Sequence, residues 1–187
     1  MRLVILSFFS GQIERGVEIY ARELSQRLST HHQIKLITIS DLPEKVPPYR
    51  GNENLFLRRL YLDKTSLQIN RLTQTALSQL TKDPPDILYP LNNGWQSILG
   101  KLFCLRHKTK LVLGGHSGPG WDDRINLWLH PDLFVAFSHP QAQWARGVNS
   151  KVNLTTIPHG VDTDQFQPGA SKIKLNLQKP IFVTVSA

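Results

Sequence analysis

The segment that decides the fold lies near the end of the chain, at residues 157–168, and reads IPHGVDTDQFQP. It follows a short apolar, β-branched run that is typical of a strand. Pro158 cannot donate to a sheet ladder, so the strand should end there. Gly160 permits a tight turn, and the Asp162 carboxylate can accept hydrogen bonds from nearby backbone amides. We expect the Phe166 ring to be buried beneath this turn.

Any one of these residues would fit an ordinary strand exit, but the string in its order is more specific. It resembles the segment that closes the N-terminal domain of family 4 glycosyltransferases, enzymes of the two-domain GT-B fold, where the pattern is I-P-[N/H]-G-V-D followed by phenylalanine and proline. The apolar run at 181–185 resembles the first strand of the second domain in that family. The resemblance implies an N-terminal, acceptor-side domain over residues 1–168. It also implies a linker and the first strand of a missing C-terminal domain over residues 169–187.

Composition is that of a soluble globular chain, with 40% hydrophobic and 19% charged residues. No apolar stretch approaches the roughly 18 residues that a membrane-spanning helix needs. The single cysteine, Cys104, excludes an internal disulfide and a cysteine-rich zinc site, and its apolar helical surroundings predict a buried side chain. We expect no metal, no cofactor and a cytoplasmic location.

The charge balance is basic, with 22 Lys and Arg against 14 Asp and Glu and a formal net charge of +8. Basic surfaces attract phosphates, nucleic acid or anionic membranes. The charges occur in short clusters such as Arg58-Arg59, and no nucleic-acid motif accompanies them. A solvated basic face is one interpretation and peripheral attachment to an anionic membrane is the next. A nucleic-acid partner is not expected.

Short apolar runs alternate with longer amphipathic patterns, which predicts an α/β fold: a Rossmann-like parallel sheet with helices on both faces. In the family this is the N-terminal half of a GT-B fold. The predicted strands are 2–7, 34–39, 55–60, 87–89, 110–113, 133–137 and 154–157. The predicted helices are 16–29, 65–80, 95–106 and 140–145, the second opened by a capping box of Thr65 and Gln68 and the last capped by Ser138. Residues 41–54, rich in proline, are predicted to form a loop.

The loop after the first strand is the first candidate site. Arg15-Gly16-Val17-Glu18 resembles the G-G-V-E start of the first helix in the family, where the glycine loop faces the donor sugar-phosphate. A helix N-terminus with an adjacent glycine also suits a phosphate group. Arg15, Gly16 and Glu18 are therefore the predicted donor- or phosphate-binding residues. The alternative is a plain strand-to-helix turn.

A second candidate is the glycine-rich stretch 114–124, which follows a predicted strand. His116 matches the position where the family commonly has a histidine that reaches towards the donor sugar and acceptor, so it is the predicted catalytic residue. An imidazole can donate a hydrogen bond or exchange a proton near neutral pH. Asp122 and Arg124 are predicted to bind the acceptor, with a helix cap and a solvated pair as the alternative.

A third candidate is the segment 92–96, which follows the strand at 87–89. The Asn93 amide suits sugar hydroxyls and the Trp95 indole suits the face of a pyranose, so both are predicted to bind the acceptor. A helix N-cap with a packed tryptophan is the alternative. Loops at the carboxyl ends of parallel strands meet at one edge of a sheet, so Gly16, Asn93 and His116 should converge.

The resemblance implies a retaining glycosyltransferase that transfers a sugar from a nucleotide-sugar donor to a sugar or lipid-linked acceptor. In the family the second domain supplies most nucleotide contacts, so the chain is expected to need that domain or a partner chain and to be inactive alone. A rival interpretation is a non-catalytic Rossmann-like binding or docking domain. A hydrolase using His116 with Ser117 or Ser138 is a third, although the chain has no G-x-S-x-G motif.

Overall fold

Six parallel strands form the centre of the molecule, which the computed structural model describes at residues 1–43, 55–164, 166, 167 and 169. The order across the sheet is β2-β1-β3-β4-β5-β6. The chain thus moves from β1 to β2 on one side and then crosses to β3 on the other, which creates the topological switch point where α/β sheets bind ligands. The strands are β1 Arg2–Leu6, β2 Gln33–Ile37, β3 Ile87–Pro90, β4 Lys110–Gly114, β5 Leu133–Ala136 and β6 Leu154–Thr156.

Helices cover both faces of this sheet, which confirms the predicted Rossmann-like fold class. Leu3 and Ile5 of β1 pack on one face with Ala21 and its helix α1. Val4 and Leu6 face the opposite side, where the other long helices pack in a larger apolar core that also buries Cys104. The helices are α1 Gly16–Leu28, α2 Leu55–Arg59, α3 Lys64–Leu80, α4 Trp95–His107, α5 Trp121–Trp128 and α6 His139–Val148.

The strand predicted at 55–60 is wrong, because this stretch forms the helix α2 instead. Its backbone closes locally: the Leu60 amide donates to the Phe56 carbonyl at 3.3 Å, and the Leu62 amide donates to the Leu57 carbonyl at 2.8 Å. A run of five or six apolar and basic residues is too short for its period to distinguish helix from strand.

The start of α3 also differs from the prediction. Asp63 is the N-cap, and its carboxylate accepts the Ser66 amide at 2.9 Å, so the helix begins one residue before the predicted Thr65–Gln68 capping box. The cap predicted for α6 is confirmed, since Ser138 Oγ accepts the Gln141 amide at 3.3 Å. Helix α5 was not predicted, because the glycines that precede it obscure its start.

The segment after β6 lies on the surface. As predicted, the Asp162 carboxylate accepts a backbone amide, that of Asp164 at 3.0 Å, and it also pairs with Arg27 at 2.9 Å. The expected burial of Phe166 is wrong: its side chain is 67% exposed. Ile157 and Val161 are exposed as well, so these apolar neighbours in the segment do not bury the ring. The predicted strand at 181–185 and residues 44–54 of the predicted loop lie outside the described residues.

Candidate functional site

A polar cavity of about 220 Å³ opens at the carboxyl edge of the sheet. Its walls come from the segments that follow β1, β3 and β4 and from the connection between α2 and α3. Parallel strands place these segments side by side although they are far apart in sequence. The polar lining residues are Arg15, Arg58, Tyr61, Asp63, Thr65, Ser66, Asn92, Asn93, Ser117 and Asp122, with Phe9, Ile69 and Leu91 as apolar walls.

Asn93 ties two of these segments together. Its Nδ2 donates to Ser117 Oγ at 2.6 Å, and its Oδ1 accepts from Asn126 Nδ2 at 2.7 Å. The next residue, Gly94, has φ of +69°, and a Cβ there would lie 2.8 Å from the Tyr61 ring. Glycine is therefore required at this turn for both conformation and space, and the turn fixes Asn93 at the cavity wall.

Trp95 lies outside the cavity lining. Its indole Nε1 donates to the Tyr61 carbonyl at 2.8 Å, and its side chain is half-buried. Arg124 also lies outside the cavity lining, with its guanidinium 6.0 Å from the centre of the Trp144 ring. The structure therefore brings Asn93 and Asp122 to the cavity wall but not the other two predicted acceptor-binding residues.

Asp122 and Asp123 begin α5 and have different surroundings. The Tyr61 hydroxyl donates to Asp122 Oδ1 at 2.7 Å, and burial together with this carboxylate raises the pKa of Tyr61. Asp123 is fully buried. Burial, with a smaller effect from the charge of Asp122, raises the pKa of Asp123 to about 7 against the opposing hydrogen bonds of the Ser117 and Gly118 amides.

Gln141 of α6 holds the glycine-rich loop against the next strand exit. Its Nε2 donates to the Gly115 carbonyl at 2.5 Å, and its Oε1 accepts the Phe137 amide at 2.7 Å. The side chain is buried, so both bonds are shielded from water. This glutamine therefore sets the path of the chain directly before His116.

His116 lies in an aromatic cluster beside the cavity, not in its lining. The rings of Tyr20, Phe137 and His159 have centroids 4.9, 4.6 and 6.2 Å from that of His116, and Phe137 stacks on His159 at 4.1 Å. The Tyr89 hydroxyl is 3.1 Å from His116 Nε2. Burial, and secondly the charge of His159, lowers the pKa of His116 to about 4. Its imidazole is neutral at pH 7, which suits a hydrogen-bonding group better than a proton carrier.

The first turn of α1 forms the remaining flank. Arg15 Nη2 pairs with Glu18 Oε1 at 2.6 Å, and Glu18 is buried whereas the Arg15 side chain is 39% exposed. The buried carboxylate therefore anchors a guanidinium whose head lies at the cavity wall. Gly16 is exposed, and a Cβ there would meet no atom within 4 Å. The structure thus places Gly16, Asn93 and His116 at the same edge of the sheet.

Two groups of residues at this edge were not singled out from the sequence. Arg58, Tyr61 and Asp63 come from the α2–α3 connection, which the wrong strand prediction concealed. An aspartate directly before Lys64-Thr65-Ser66 is an N-cap signal that would have located the helix start. Tyr20 and His159 join the aromatic cluster through tertiary packing alone, for which the sequence carries no local signal.

A family model described as Glycosyltransferase Family 4 matches residues 15–165. The chain belongs to this family. The match begins at Arg15 of the predicted donor-binding segment and ends within the 157–168 segment, so in this family 4 glycosyltransferase chain it includes every residue of the cavity lining except Phe9.

Two solved structures are similar to this chain. UGT89C1 of Arabidopsis thaliana, crystallised with UDP-L-rhamnose, has a TM-score of 0.45 and 12% identity over 83% of this chain and 51% of its own. MurG of Acinetobacter baumannii has a TM-score of 0.36 and 8% identity over 88% of this chain and 69% of its own. The family 4 chain thus spans about half the length of the plant protein. A search of curated proteins gave no match.

Proposed function

We propose that this chain is the N-terminal, acceptor-side domain of a retaining glycosyltransferase. Paired with a donor-binding domain, it transfers a sugar from a nucleotide-sugar to an acceptor hydroxyl. One observation carries the proposal: in a chain of this family, the three segments singled out from the sequence meet at the sheet edge, around a cavity rich in hydrogen-bonding groups. The donor-binding domain comes from a further part of the protein or from a partner chain.

In this proposal the cavity holds the acceptor. The Asp122 carboxylate and the Asn93 amide lie on its wall, and both group types can hold sugar or polyol hydroxyls through hydrogen bonds. Asp122 Oδ1 already accepts the Tyr61 hydroxyl, which fixes its orientation and leaves the second oxygen for the ligand. Removal of either side chain would therefore weaken acceptor binding, together with the contacts that Asn93 makes to Ser117 and Asn126 or that Asp122 makes to Tyr61.

The donor lies across the first turn of α1 and the aromatic cluster. The exposed Gly16 leaves the helix N-terminus open to a diphosphate, and the Arg15 guanidinium, held by its ion pair with Glu18, lies beside it. His116 contributes a neutral imidazole that can bond a donor sugar hydroxyl. Transfer breaks the bond between the anomeric carbon and the diphosphate oxygen and forms the glycosidic bond to the acceptor oxygen, and the acceptor's hydroxyl proton leaves with the nucleoside diphosphate.

The test is an assay of nucleoside diphosphate release and sugar transfer against a panel of nucleotide-sugars and acceptors. The 187-residue chain is assayed alone and with a matching donor-binding domain. We expect transfer only with both components. Asn93→Ala and Asp122→Ala should raise the acceptor KM, whereas Arg124→Ala, outside the cavity, should not. If the chain binds a ligand but no combination of nucleotide-sugar and acceptor gives transfer, the result would favour the rival interpretation, a non-catalytic binding domain.

A further inference from the structure

An apolar surface lies beside the mouth of the cavity. We call it the α2–α5 surface and define it by side chains that are 39% to 68% exposed: Phe56, Leu57, Leu60, Leu62, Trp121 and Trp128. Single exposed apolar residues are common on soluble proteins, but six on two neighbouring elements are a patch. Large patches of this kind mark interaction surfaces.

Direct contacts join the two elements. Trp121 Nε1 donates to the Arg59 carbonyl at the end of α2, at 3.0 Å. The Trp121 and Trp128 rings meet edge to face with centroids 6.0 Å apart. The Tyr61–Asp122 hydrogen bond provides a second link. The two tryptophans and the α2 side chains therefore belong to one continuous surface.

The exposed charges of the described residues on these two elements have one sign. Over residues 55–71 and 121–128, every exposed charged side chain is a cation: Arg58, Arg59, Lys64, Arg71 and Arg124. The acidic side chains of the same stretches are not exposed: Asp63 and Asp123 are buried, and Asp122 is half-buried against the Tyr61 hydroxyl. The surface is thus apolar at its centre and cationic around it.

We propose that the α2–α5 surface docks on an anionic lipid bilayer. Apolar side chains with surrounding Lys and Arg are the composition of segments that lie in the membrane interface. Tryptophan is enriched at the headgroup level, where its apolar ring and its N–H are both accommodated. Cations close to an anionic leaflet add attraction that falls off within a Debye length. No helix of the described residues is long and apolar enough to cross a bilayer, and the proposal concerns attachment to its surface.

The location of the α2–α5 surface indicates where the acceptor would be found. Arg58, Tyr61 and Asp122 line the cavity and also lie on or beside the α2–α5 surface. A docked domain would therefore present the cavity to the headgroup layer, where the hydroxyl-bearing head of a lipid-linked acceptor is found. This second step rests on the proposed function, whereas docking itself does not.

Vesicle cosedimentation of the full chain tests the docking, without donor or catalysis, so its outcome is independent of the transfer assay. We expect binding to phosphatidylcholine vesicles that contain phosphatidylglycerol, and little binding to phosphatidylcholine alone. Arg58→Glu with Arg59→Glu should reduce partitioning by about tenfold or more. The matched control is Arg146→Glu with Lys151→Glu at exposed positions in and after α6. Each pair changes the charge by −4, from +8 to +4, so an equal loss in both would overturn the proposal.

A second variant pair tests the apolar part. Phe56→Ser with Leu60→Ser should reduce vesicle binding, whereas Leu102→Ser with Leu105→Ser, equally exposed on α4, should not. Circular dichroism and thermal melting show that each variant is folded. Sedimentation velocity without vesicles determines whether the chain forms a dimer. A dimer that the Phe56 and Leu60 changes dissociate would show that a second copy covers the surface, and would overturn the membrane proposal.

Discussion

At the scale of single residues, the two glycines at the end of β4, Gly114 and Gly115, determine how closely the site can be packed. A Cβ at Gly114 would lie 2.8 Å from His116 Nε2 and 2.5 Å from the Tyr89 hydroxyl. A Cβ at Gly115 would lie 2.6 Å from Cδ of the buried Gln141. These positions are small because side chains from other elements occupy the space, not because the backbone needs an unusual φ.

Gly115→Ala should destabilise the fold by about 1–3 kcal/mol, as an added methyl does in a well-packed site. Gln141 must move, and it then loses its bonds to the Gly115 carbonyl and the Phe137 amide. Urea denaturation measures the loss. Gly147→Ala in α6 is the control, because its Cβ would meet no atom within 4 Å and should leave stability unchanged or raise it. Equal stability of the two variants would contradict the Gln141 contact.

Gly16→Ala separates a ligand-binding role from a structural one. The position is open and begins a helix, so alanine should leave stability unchanged or raise it by about 0.4–1 kcal/mol. If the α1 N-terminus receives a diphosphate, the methyl group should lower the affinity for a nucleoside diphosphate, measured by isothermal titration calorimetry with the donor-binding domain present. Unchanged affinity would remove Gly16 from the donor site.

At the scale of elements, the sequence predicted the parts whose signal is local and repeated. The strands that became β1 to β6 and the four longest helices follow from apolar periodicity within their own residues. The prediction for α2 failed because its apolar side chains Phe56 and Leu57 face solvent rather than a sheet. The candidate site shows the same dependence on local signals. Arg15, Asn93 and Asp122 could be predicted to lie at the sheet edge because each follows a predicted strand. The aromatic cluster of His116 could not be predicted, because its members meet only through the tertiary fold.

The cap of α3 gives a test at this scale. Asp63→Ala removes the acceptor of the Ser66 amide and should cost about 0.5–2 kcal/mol. Thr65→Ala leaves that cap in place and should cost less. Thermal melting of the two variants measures the difference, and a larger loss for Thr65→Ala would restore the capping box predicted from the sequence.

At the scale of the whole molecule, two buried titratable groups give stability opposite dependences on pH. The folded-state pKa of Asp123 is raised to about 7 from 3.8, so the folded protein takes up a proton that the unfolded chain does not, and stability rises as pH falls through this range. The folded-state pKa of His116 is lowered to about 4 from 6.5, so the unfolded chain takes up the proton, and stability falls over much of the same range.

Single variants separate these two effects. As pH falls from about 7 to about 4, the wild type should gain stability relative to Asp123→Asn and lose stability relative to His116→Gln. Urea midpoints measured across this range provide the comparison, and contributions from other groups cancel in each difference. Parallel curves for the wild type and Asp123→Asn would show that the carboxyl titrates alike in the folded and unfolded states.

The cavity is built almost wholly outside the sheet. Its lining comes from the segments after β1, β3 and β4 and from the start of α3, while the strands hold the apolar core. Because of this division, substitutions that alter ligand recognition fall on different residues from substitutions that alter the stability of the core. Residues at the cavity wall can be substituted, in evolution or in the laboratory, without a change in the side chains that form the apolar core. The glycines and the glutamine that hold the loop after β4 should resist such exchange. A library confined to positions 58, 117 and 122, which leaves Tyr61, Asn92 and Asn93 in place, would therefore test new acceptors on an unchanged sheet and core.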